Sequence, residues 1–292
     1  MEGLITVIKS TELLEERYKG YRERLKKLTL MSDVLGRNVL KDRGCTEYIL
    51  RIIMNDKKLK VVDQRIQVDY KNLHGRSAVL DCVAIDGENR EINIELQQED
   101  EGANPKRARY HLGLMDTNIL NPGENFDKLP ESYVIFITRN DALKKNQPIL
   151  HISRFIEETG EKFEDESHFI YVDSSKQDDT ELGLLMHDLN CEDTSDMQSS
   201  ILSERVRVFK ETEGGIEHMC KEMEEIRNEG YEAGKTEGKA EGKAEGERNL
   251  LTRMISKKLE KGKTTEEITE EIAEELEIAP DAVKGIIAEL SM

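Results

Sequence analysis

The residues best suited to chemistry lie in a predicted β-hairpin, with Asp81 on its first strand and Glu95 and Gln97 on its second. Both strand segments, 78–85 and 91–97, are rich in β-branched residues and alternate with a period of two. Because side chains alternate between the faces of a strand, Glu95 and Gln97 share a face and converge with Asp81 when the strands pair in register. Two carboxylates and an amide on strands about 4.8 Å apart suit Mg²⁺, which takes one or two protein carboxylates and leaves its other positions to water and phosphate.

The pairing of these two strands follows from the residues between and within them. Asp86-Gly87 is a strong short-range hairpin signal. The period of two predicts that Asp81, Val83 and Ile85 lie on one face of the first strand. It places Leu80, Cys82 and Ala84 on the opposite face. On the second strand it predicts that Ile92, Ile94 and Leu96 face away from Asn93, Glu95 and Gln97.

A plainer interpretation of Asp81 and Glu95 is that both are solvated residues on the open face of an antiparallel sheet. Two observations favour a site instead. Asp81 lies inside an apolar segment, where an unpaired carboxylate would be costly to bury. Asp and Glu are also poor strand formers, so their presence in two core-like strands calls for a reason.

A second set of candidate residues lies at the start of a predicted helix. Asn104 is a preferred N-cap residue, and Pro105 suits the first helical position. Lys106, Arg107 and Arg109 follow within two turns, although cations near a helix N-terminus oppose the helix dipole. Such a local mismatch is expected where an anion binds. Phosphate binding is therefore one interpretation of these cations, and a solvated helix face is the other.

The remaining segments predict a mixed sheet flanked by helices. Segment 61–70 alternates as a strand and joins the hairpin through a turn at 72–75, which gives a three-stranded meander. Segment 132–138 is almost continuously apolar, as is typical of a central strand covered on both faces. The other predicted elements are helices at 10–28, 46–55, 180–190 and 199–211, a strand leading into a short helix at 148–156, and a strand at 168–172. This order fits an α/β or α+β fold.

Charge and hydropathy bear on the partners of this 292-residue chain. We find no signal-peptide pattern and no apolar segment long enough to span a bilayer, which predicts a cytoplasmic protein with no membrane partner. The formal net charge of −18 is unusual for a DNA-binding protein. However, the acid is concentrated in 157–166, 177–181 and the C-terminal third, and basic clusters remain at 17–27 and 106–109. Only the distribution of charge bears on partners, so the objection weakens a DNA-binding function without excluding it.

The C-terminal third differs in character from the rest. Glycine recurs at every fourth residue from 230 to 246, and lysines and glutamates each repeat at the same spacing. Each Gly costs a helix about 1 kcal/mol relative to Ala, and like charges four residues apart repel, which predicts a weak, fraying helix or a tether. Three short helices with apolar stripes follow, so we expect a homo-oligomer. The predicted divisions are an N-terminal amphipathic helix (1–28), a core (29–212), a Gly/Glu/Lys-rich helical linker (213–247) and a small helical interaction module (248–292).

The order Asp81, hairpin, Glu95-x-Gln97 resembles the active-site signature of the PD-(D/E)XK nuclease superfamily. It is more closely similar to the recombination-promoting nucleases, often labelled PD-(D/E)XK nuclease family transposases. Five further segments carry this resemblance: 30–35, 46–50, 104–110, 129–137 and 185–189. Together they extend it over about residues 10–212, and the combination is far more specific than the three site residues alone.

The resemblance implies a restriction-endonuclease-like core and a DNA endonuclease that uses Mg²⁺, or alternatively Mn²⁺. It implies Asp81 and Glu95 as metal ligands, and Glu47 as a residue that assists the metal or positions a water. Without the family, Glu47 is a first-turn acid that suits the helix dipole. The wider superfamily has Lys where this chain has Gln97, which hydrogen-bonds a water but brings no charge. It stays open whether Lys106, Arg107 or Arg109 supplies that cation.

We therefore interpret the chain as a metal-dependent DNA endonuclease, linked by the resemblance to DNA recombination or mobile elements. Its predicted fold is an α/β core with a mixed sheet and a small all-α C-terminal appendage. The alternative is a non-catalytic interaction protein that keeps the nuclease fold and assembles through its C-terminal helices. The net charge and the acidic C-terminal third favour that alternative.

Overall fold

A mixed six-stranded sheet is the centre of the computed structural model, which describes residues 2–70, 76–98 and 100–290 and the side chains of 13–70, 76–98 and 102–290. The strands are β1 (Val61–Tyr70), β2 (Ala78–Asp86), β3 (Glu91–Gln97), β4 (Ser132–Thr138), β5 (Ile149–Ile152) and β6 (Ser167–Asp173). Their order across the sheet is β1-β2-β3-β4-β6-β5. The first three strands form the predicted antiparallel meander, β3, β4 and β6 are parallel, and β5 is antiparallel to β6. The turn predicted at 72–75 lies outside the described residues.

Helices cover both faces of this sheet, which confirms the predicted fold class. They are α1 (Glu2–Lys27), α2 (Asp33–Leu40), α3 (Arg43–Ile53), α4 (Pro105–Ile119), α5 (Glu181–Asn190), α6 (Ser200–Glu211), α7 (Glu213–Glu260), α8 (Thr265–Leu276) and α9 (Pro280–Leu290). Short 3₁₀ turns lie at Asp100–Ala103 and Phe126–Lys128. None of the described helices combines the length and the apolar character needed to cross a bilayer.

Two apolar cores lie on the two faces of the sheet. The first core contains residues of α2, α3, α5 and α6, among them Leu35, Leu50, Leu185 and Leu202. The second core lies under α4 and includes Leu112, Met115 and Tyr171. The central strand β4 contributes to both, because Ile135 and Ile137 belong to the first core while Val134 and Phe136 belong to the second. The prediction of a strand covered on both faces is confirmed.

Helix α2 was not predicted as an element, and its packing is unusually close. Its eight residues begin at Asp33, and Gly36 lies against the backbone of Leu30. A Cβ atom at position 36 would collide with the Leu30 carbonyl oxygen and lie 2.6 Å from Leu96 Cδ1. Only glycine therefore lets α2 approach the end of β3.

We expect Gly36→Ala to destabilise the protein by about 1–3 kcal/mol, because a backbone carbonyl cannot move aside for the added methyl group. The matched control is Gly113→Ala in α4, where an added Cβ meets nothing within 4 Å. At that position alanine should stabilise the helix by up to about 1 kcal/mol. Urea unfolding of both variants measures the difference. Equal effects of the two substitutions would show that the close approach of α2 is not needed for stability.

The segment after β5 differs from the prediction. A strand followed by a short helix was predicted at 148–156, but only the strand is present. Residues 153–166 instead fold back on themselves through a bridge between Phe155 and Lys162. Gly160, with φ of 71°, occupies the left-handed conformation at the turn. The N–H of Ile156 donates to the carbonyl oxygen of Glu161 at 2.9 Å, not to a residue four positions earlier as a helix requires, which explains the difference.

The contacts divide the chain into two compact units, residues 1–223 and 224–292. In the second unit, Ile255, Ile268, Ile272, Val283 and Ile287 form a small core. The capping box of Thr264 and Glu267 and the helix start at Pro280 are confirmed. The four predicted divisions of the chain stay predictions.

The glycine-repeat segment is helical, because α7 runs through it without interruption. The sequence analysis considered only the like-charge spacings. Ion pairs of opposite sign also form along this helix, between Lys235 and Glu232 and between Lys243 and Glu247. Such pairs support a helix and partly offset the glycine penalties.

Candidate active site

Asp81 and Glu95 lie side by side where β2 and β3 run together. The register pairs Cys82 with Ile94, which places Asp81 opposite Glu95. The backbone N–H of Asp81 donates to Glu95 Oε1 at 3.3 Å. The backbone N–H of Leu96 donates to Asp81 Oδ2 at 3.1 Å. Each carboxylate is thus held by the backbone of the opposite strand, and the predicted convergence of the two side chains is present.

The strict alternation of β2 breaks at Asp81. Cys82 belongs to the first core, but Leu80 belongs to the second, together with Val83. The prediction that Leu80 and Cys82 share a face is therefore wrong. The surrounding register places Gln67 opposite Asp81, and Gln67 has a left-handed φ of 51°. A left-handed residue disturbs the regular pleat, and Asp81 lies at this irregularity.

The Glu95 carboxylate is fully buried and incompletely bonded. Asn93 Nδ2 donates to Glu95 Oε1 at 3.0 Å. His111 Nδ1 lies 3.5 Å from the same oxygen, and an Arg107 nitrogen lies 3.6 Å from Oε2. Glu95 Oε2 has no hydrogen-bond partner. A buried carboxylate oxygen without a hydrogen bond is costly, and a bound cation would satisfy it.

The arrangement raises the pKa of Asp81 to about 7. Burial is the largest cause, because it disfavours the charged form, and the negative charge of Glu95 is the second. The charge of Asp33 raises this pKa further, while the Leu96 N–H and Arg107 lower it. Two carboxylates that cannot easily both be charged are typical of a site that a divalent cation completes.

This raised pKa predicts that stability depends on pH in metal-free buffer. An ordinary Asp has a pKa of 3.8, so between about pH 4 and 7 the folded protein keeps a proton on Asp81 that the unfolded chain releases. The free energy of unfolding should therefore fall as the pH rises through this window. Asp81→Asn removes the titration, so its Tm advantage over the parent should grow from pH 5 to pH 8. Thermal melts in EDTA test this, and a Tm difference that does not change with pH would contradict it.

Gln97 lies two residues beyond Glu95 on the same strand, at the end of β3. Its side chain packs over Gly102, where an added Cβ would collide with Gln97 Oε1. In the part of the chain that the structure describes, no hydrogen bond uses its side-chain amide. Gln97 thus follows Glu95 on the same strand, its side chain lies over Gly102, and no described contact joins it to either carboxylate.

Glu47 does not join this group. Glu47 Oε2 accepts the backbone N–H of Val61 at 3.0 Å, and Oε1 pairs with Arg51 one helical turn away at 2.6 Å. These contacts tie α3 to the start of β1. No described contact joins Glu47 to Asp81 or Glu95, so its predicted role has no geometric support.

Asp33 is an acidic neighbour that the sequence reasoning missed. It is the first residue of α2, its side chain is 70% exposed, and its charge acts on Asp81. The available signal was Ser32-Asp33 directly before an apolar segment, which is typical of a helix start.

The three cations of α4 do not act alike. The Asn104 side chain accepts the N–H of Lys106 at 2.8 Å, so the predicted N-cap is confirmed. Lys106 and Arg109 are exposed, and neither belongs to a described ion pair.

Arg107 instead faces Glu95, and its Nε donates to His111 Nε2 at 3.2 Å. A guanidinium only donates, so the ring proton of His111 lies on Nδ1, toward Glu95. His111 is 2% exposed and was not identified from the sequence.

A second group of metal-ligand types, His187, Asp188 and Cys191, lies within the described residues. Asp188 accepts the N–H groups of Gln198 and Ser199, both at 2.7 Å. Burial raises the pKa of the Cys191 thiol to about 11, so it is not a ready thiolate ligand. Asp188 thus holds the turn before α6, and the group needs no metal.

Comparison with known protein families shows which family the chain belongs to. The model of the PD-(D/E)XK nuclease family transposase matches residues 49–228, more than half of the chain. The chain belongs to this family. The matched region of this PD-(D/E)XK family protein contains Asp81, Glu95, Gln97 and Arg107, whereas Asp33 and Glu47 precede it. No curated protein and no solved structure matches the chain.

Proposed function

We propose that this PD-(D/E)XK family protein is a metal-dependent DNA endonuclease that hydrolyses phosphodiester bonds. The observation that carries the proposal is the Asp81–Glu95 pair, in which one buried oxygen of Glu95 has no hydrogen-bond partner. Family membership supports the same function, since the matched region spans both residues. The link to DNA recombination or mobile elements rests on the family alone.

The donor set fits a hard divalent cation. Asp81 and Glu95 supply oxygen ligands, as Mg²⁺ and Mn²⁺ prefer, and no thiolate or imidazole nitrogen lies in the pair to favour a softer metal. When bound there, the ion lowers the pKa of a water and polarises the scissile phosphate. Burial and the charge of Glu95 together raise the pKa of Asp81 to about 7, and positive charge at this place would favour the ionised pair.

The other residues act on water and on charge. Gln97 orients the attacking water by hydrogen bonding, since its amide both donates and accepts. Arg107 supplies the positive charge that Gln97 lacks, because it is the α4 cation that faces Glu95. His111 lies on the Oε1 side of the Glu95 carboxylate, with its Nδ1 3.5 Å from that oxygen. Asp33 adds negative charge at the exposed side of the pair, and Glu47 holds α3 in place.

The net charge of −18 does not prevent DNA binding at this place. Lys106 and Arg109 are exposed beside Arg107, in the turns that lead away from the pair. In this proposal both contact the phosphate backbone that reaches the two carboxylates. DNA binding depends on this local distribution of charge.

Incubation of the purified protein with supercoiled plasmid tests the proposal. Relaxed or linear DNA should form with Mg²⁺ or Mn²⁺, and no cleavage should occur in EDTA. Cleavage in EDTA would contradict the metal-dependent chemistry. Binding without cleavage under all metal conditions would favour the alternative, an interaction protein that assembles through its C-terminal helices.

A further inference from the structure

The loop that follows β4 lies at the same edge of the sheet as the candidate site. The parallel register aligns Gln97 with Thr138 and Thr138 with Asp173, so the carboxyl ends of β3, β4 and β6 meet at one edge. The backbone N–H of Arg139 donates to the carbonyl oxygen of Gln97 at 3.0 Å. The loop from Arg139 to 147 therefore begins on the strand next to the one that carries Glu95.

This loop is anchored on the face that carries α4. Ala142 and Leu143 pack against the second core. Asp141 holds the turn, since its carbonyl oxygen accepts the N–H of Lys144 at 3.1 Å and its carboxylate accepts the N–H of Asn146. Lys144 has a left-handed φ of 55°, a conformation that is unfavourable for a residue with a Cβ. Strain of this kind is characteristic of functional loops.

The cations of this loop lack acidic partners. Arg139, Lys144 and Lys145 are exposed, and no ion pair in the described part of the chain includes them. Many other cations of the core are paired, for example Lys57 with Glu181 and Arg154 with Asp165. In so acidic a chain, three adjacent cations without acidic partners mark a local basic surface.

A fourth cation joins them from the next loop. Lys176 follows β6, and its Nζ donates to Asn146 Oδ1 at 2.8 Å. Of the acids in these two loops, Asp141 accepts from the Asn146 N–H and Asp173 Oδ1 accepts from Ser175, while Asp173 Oδ2 is buried without a hydrogen-bond partner, and no described ion pair joins either acid to Lys176. Beyond Lys176, the acids Asp178 and Asp179 mark where the basic surface ends.

We propose that Arg139, Lys144, Lys145 and Lys176, here called the edge cations, bind the DNA phosphate backbone beside the cleavage site. The proposal rests on the proposed nuclease function and gives the direction in which DNA leaves the site. Along the edge of the sheet the order is Asp81 on β2, Glu95 on β3, Arg139 after β4 and Lys176 after β6. Two strand spacings from β3 to β6 span about 10 Å, which is close to three base-pair steps of 3.4 Å.

The chemistry of the surface suits phosphates. Each edge cation offers N–H donors and positive charge, and none offers an apolar surface for protein docking. The loop is fixed in place by its apolar anchor, so the cations form a preorganised row. Contacts of this kind position DNA without reading its sequence. We therefore expect them to raise affinity equally for different sequences.

The test compares two triple variants that lose the same charge. The edge variant is Arg139→Gln, Lys144→Gln and Lys145→Gln. The control variant is Lys60→Gln, Lys128→Gln and Lys162→Gln, which removes exposed lysines that precede β1, β4 and β6 at the opposite edge of the sheet. Binding of a fluorescent DNA duplex is measured in EDTA over a range of salt concentrations, and plasmid cleavage is measured in Mg²⁺.

The edge variant should flatten the plot of log affinity against log salt by roughly 0.9 per lost contact, or about 2.7 in all, while the control keeps the slope of the parent. Equal slopes for the two variants would overturn the proposal, because net charge alone would then explain binding. An edge variant with the parent's slope, in a parent that cleaves DNA, overturns the edge cations but leaves the nuclease function standing. A parent that neither binds nor cleaves DNA overturns both.

Discussion

Asp81→Asn and Glu95→Gln are each expected to reduce DNA cleavage by about 10³-fold or more. Each substitution keeps the size of the side chain and removes one of the two charged oxygen ligands that face each other across β2 and β3. A bound divalent cation contributes several kcal/mol of transition-state stabilisation, and each 1.36 kcal/mol corresponds to a factor of ten in rate. Initial rates of plasmid cleavage at saturating Mg²⁺ measure the loss.

The matched control for these variants is Glu88→Gln, in the turn of the same hairpin. Its side chain is 74% exposed and lies at the opposite end of the two strands from the carboxylate pair. The control should cleave like the parent. Thermal melts in EDTA at pH 8 should show that Asp81→Asn is at least as stable as the parent, because it removes one of two repelling carboxylates. A variant at position 81 or 95 that cleaves at the parent rate would refute the assignment of the site.

Arg107→Gln is expected to lower kcat by about 10²-fold, the second largest effect. Arg107 lies 3.6 Å from Glu95, and in the proposed mechanism it supplies the positive charge that Gln97 lacks. Removal of one preorganised donor from a buried catalytic site commonly costs 10²–10³ in kcat. Single-turnover cleavage at saturating DNA measures this, since it separates the chemical step from binding.

Lys106→Gln and Arg109→Gln are the matched controls for Arg107. Both residues lie in the same two turns of α4 but do not contact the carboxylate pair. They should weaken DNA binding and its salt dependence while kcat stays close to that of the parent. Arg107→Lys should recover part of the lost rate, because it restores the charge without the forked geometry. Equal kcat losses for the three Gln variants would show that Arg107 has no special role.

The parts of the fold that follow from local sequence were predictable. The hairpin with Asp81 and Glu95, the central strand β4 and the N-cap at Asn104 depend on patterns within a few residues. Period-two alternation predicts the strands directly, and the capping residue predicts the start of the helix. The failure at Leu80 came from the irregular residue Gln67 on the neighbouring strand, which the sequence of β2 does not reveal.

The parts of the site that depend on tertiary contact were not predictable in this way. His111 lies in the middle of α4, and its proximity to Glu95 exists only because α4 packs on the sheet. The charge of Asp33 acts on Asp81 because α2 carries Asp33 close to it. The position of α2 depends in turn on the close contact of Gly36 with Leu30. Glu47 suited the expected position in the sequence, but Arg51 and the Val61 N–H occupy its carboxylate.

The most direct test of the central claim is equilibrium binding of Mn²⁺, followed by the electron paramagnetic resonance signal of the free ion. The parent should bind Mn²⁺ with a Kd that equals the concentration giving half-maximal DNA cleavage, and its Tm should rise as the ion binds. Asp81→Asn and Glu95→Gln should lose most of this binding, while Glu88→Gln keeps it. Variants at 81 and 95 that bind Mn²⁺ as tightly as the parent would contradict the account, since the ion would then be held elsewhere.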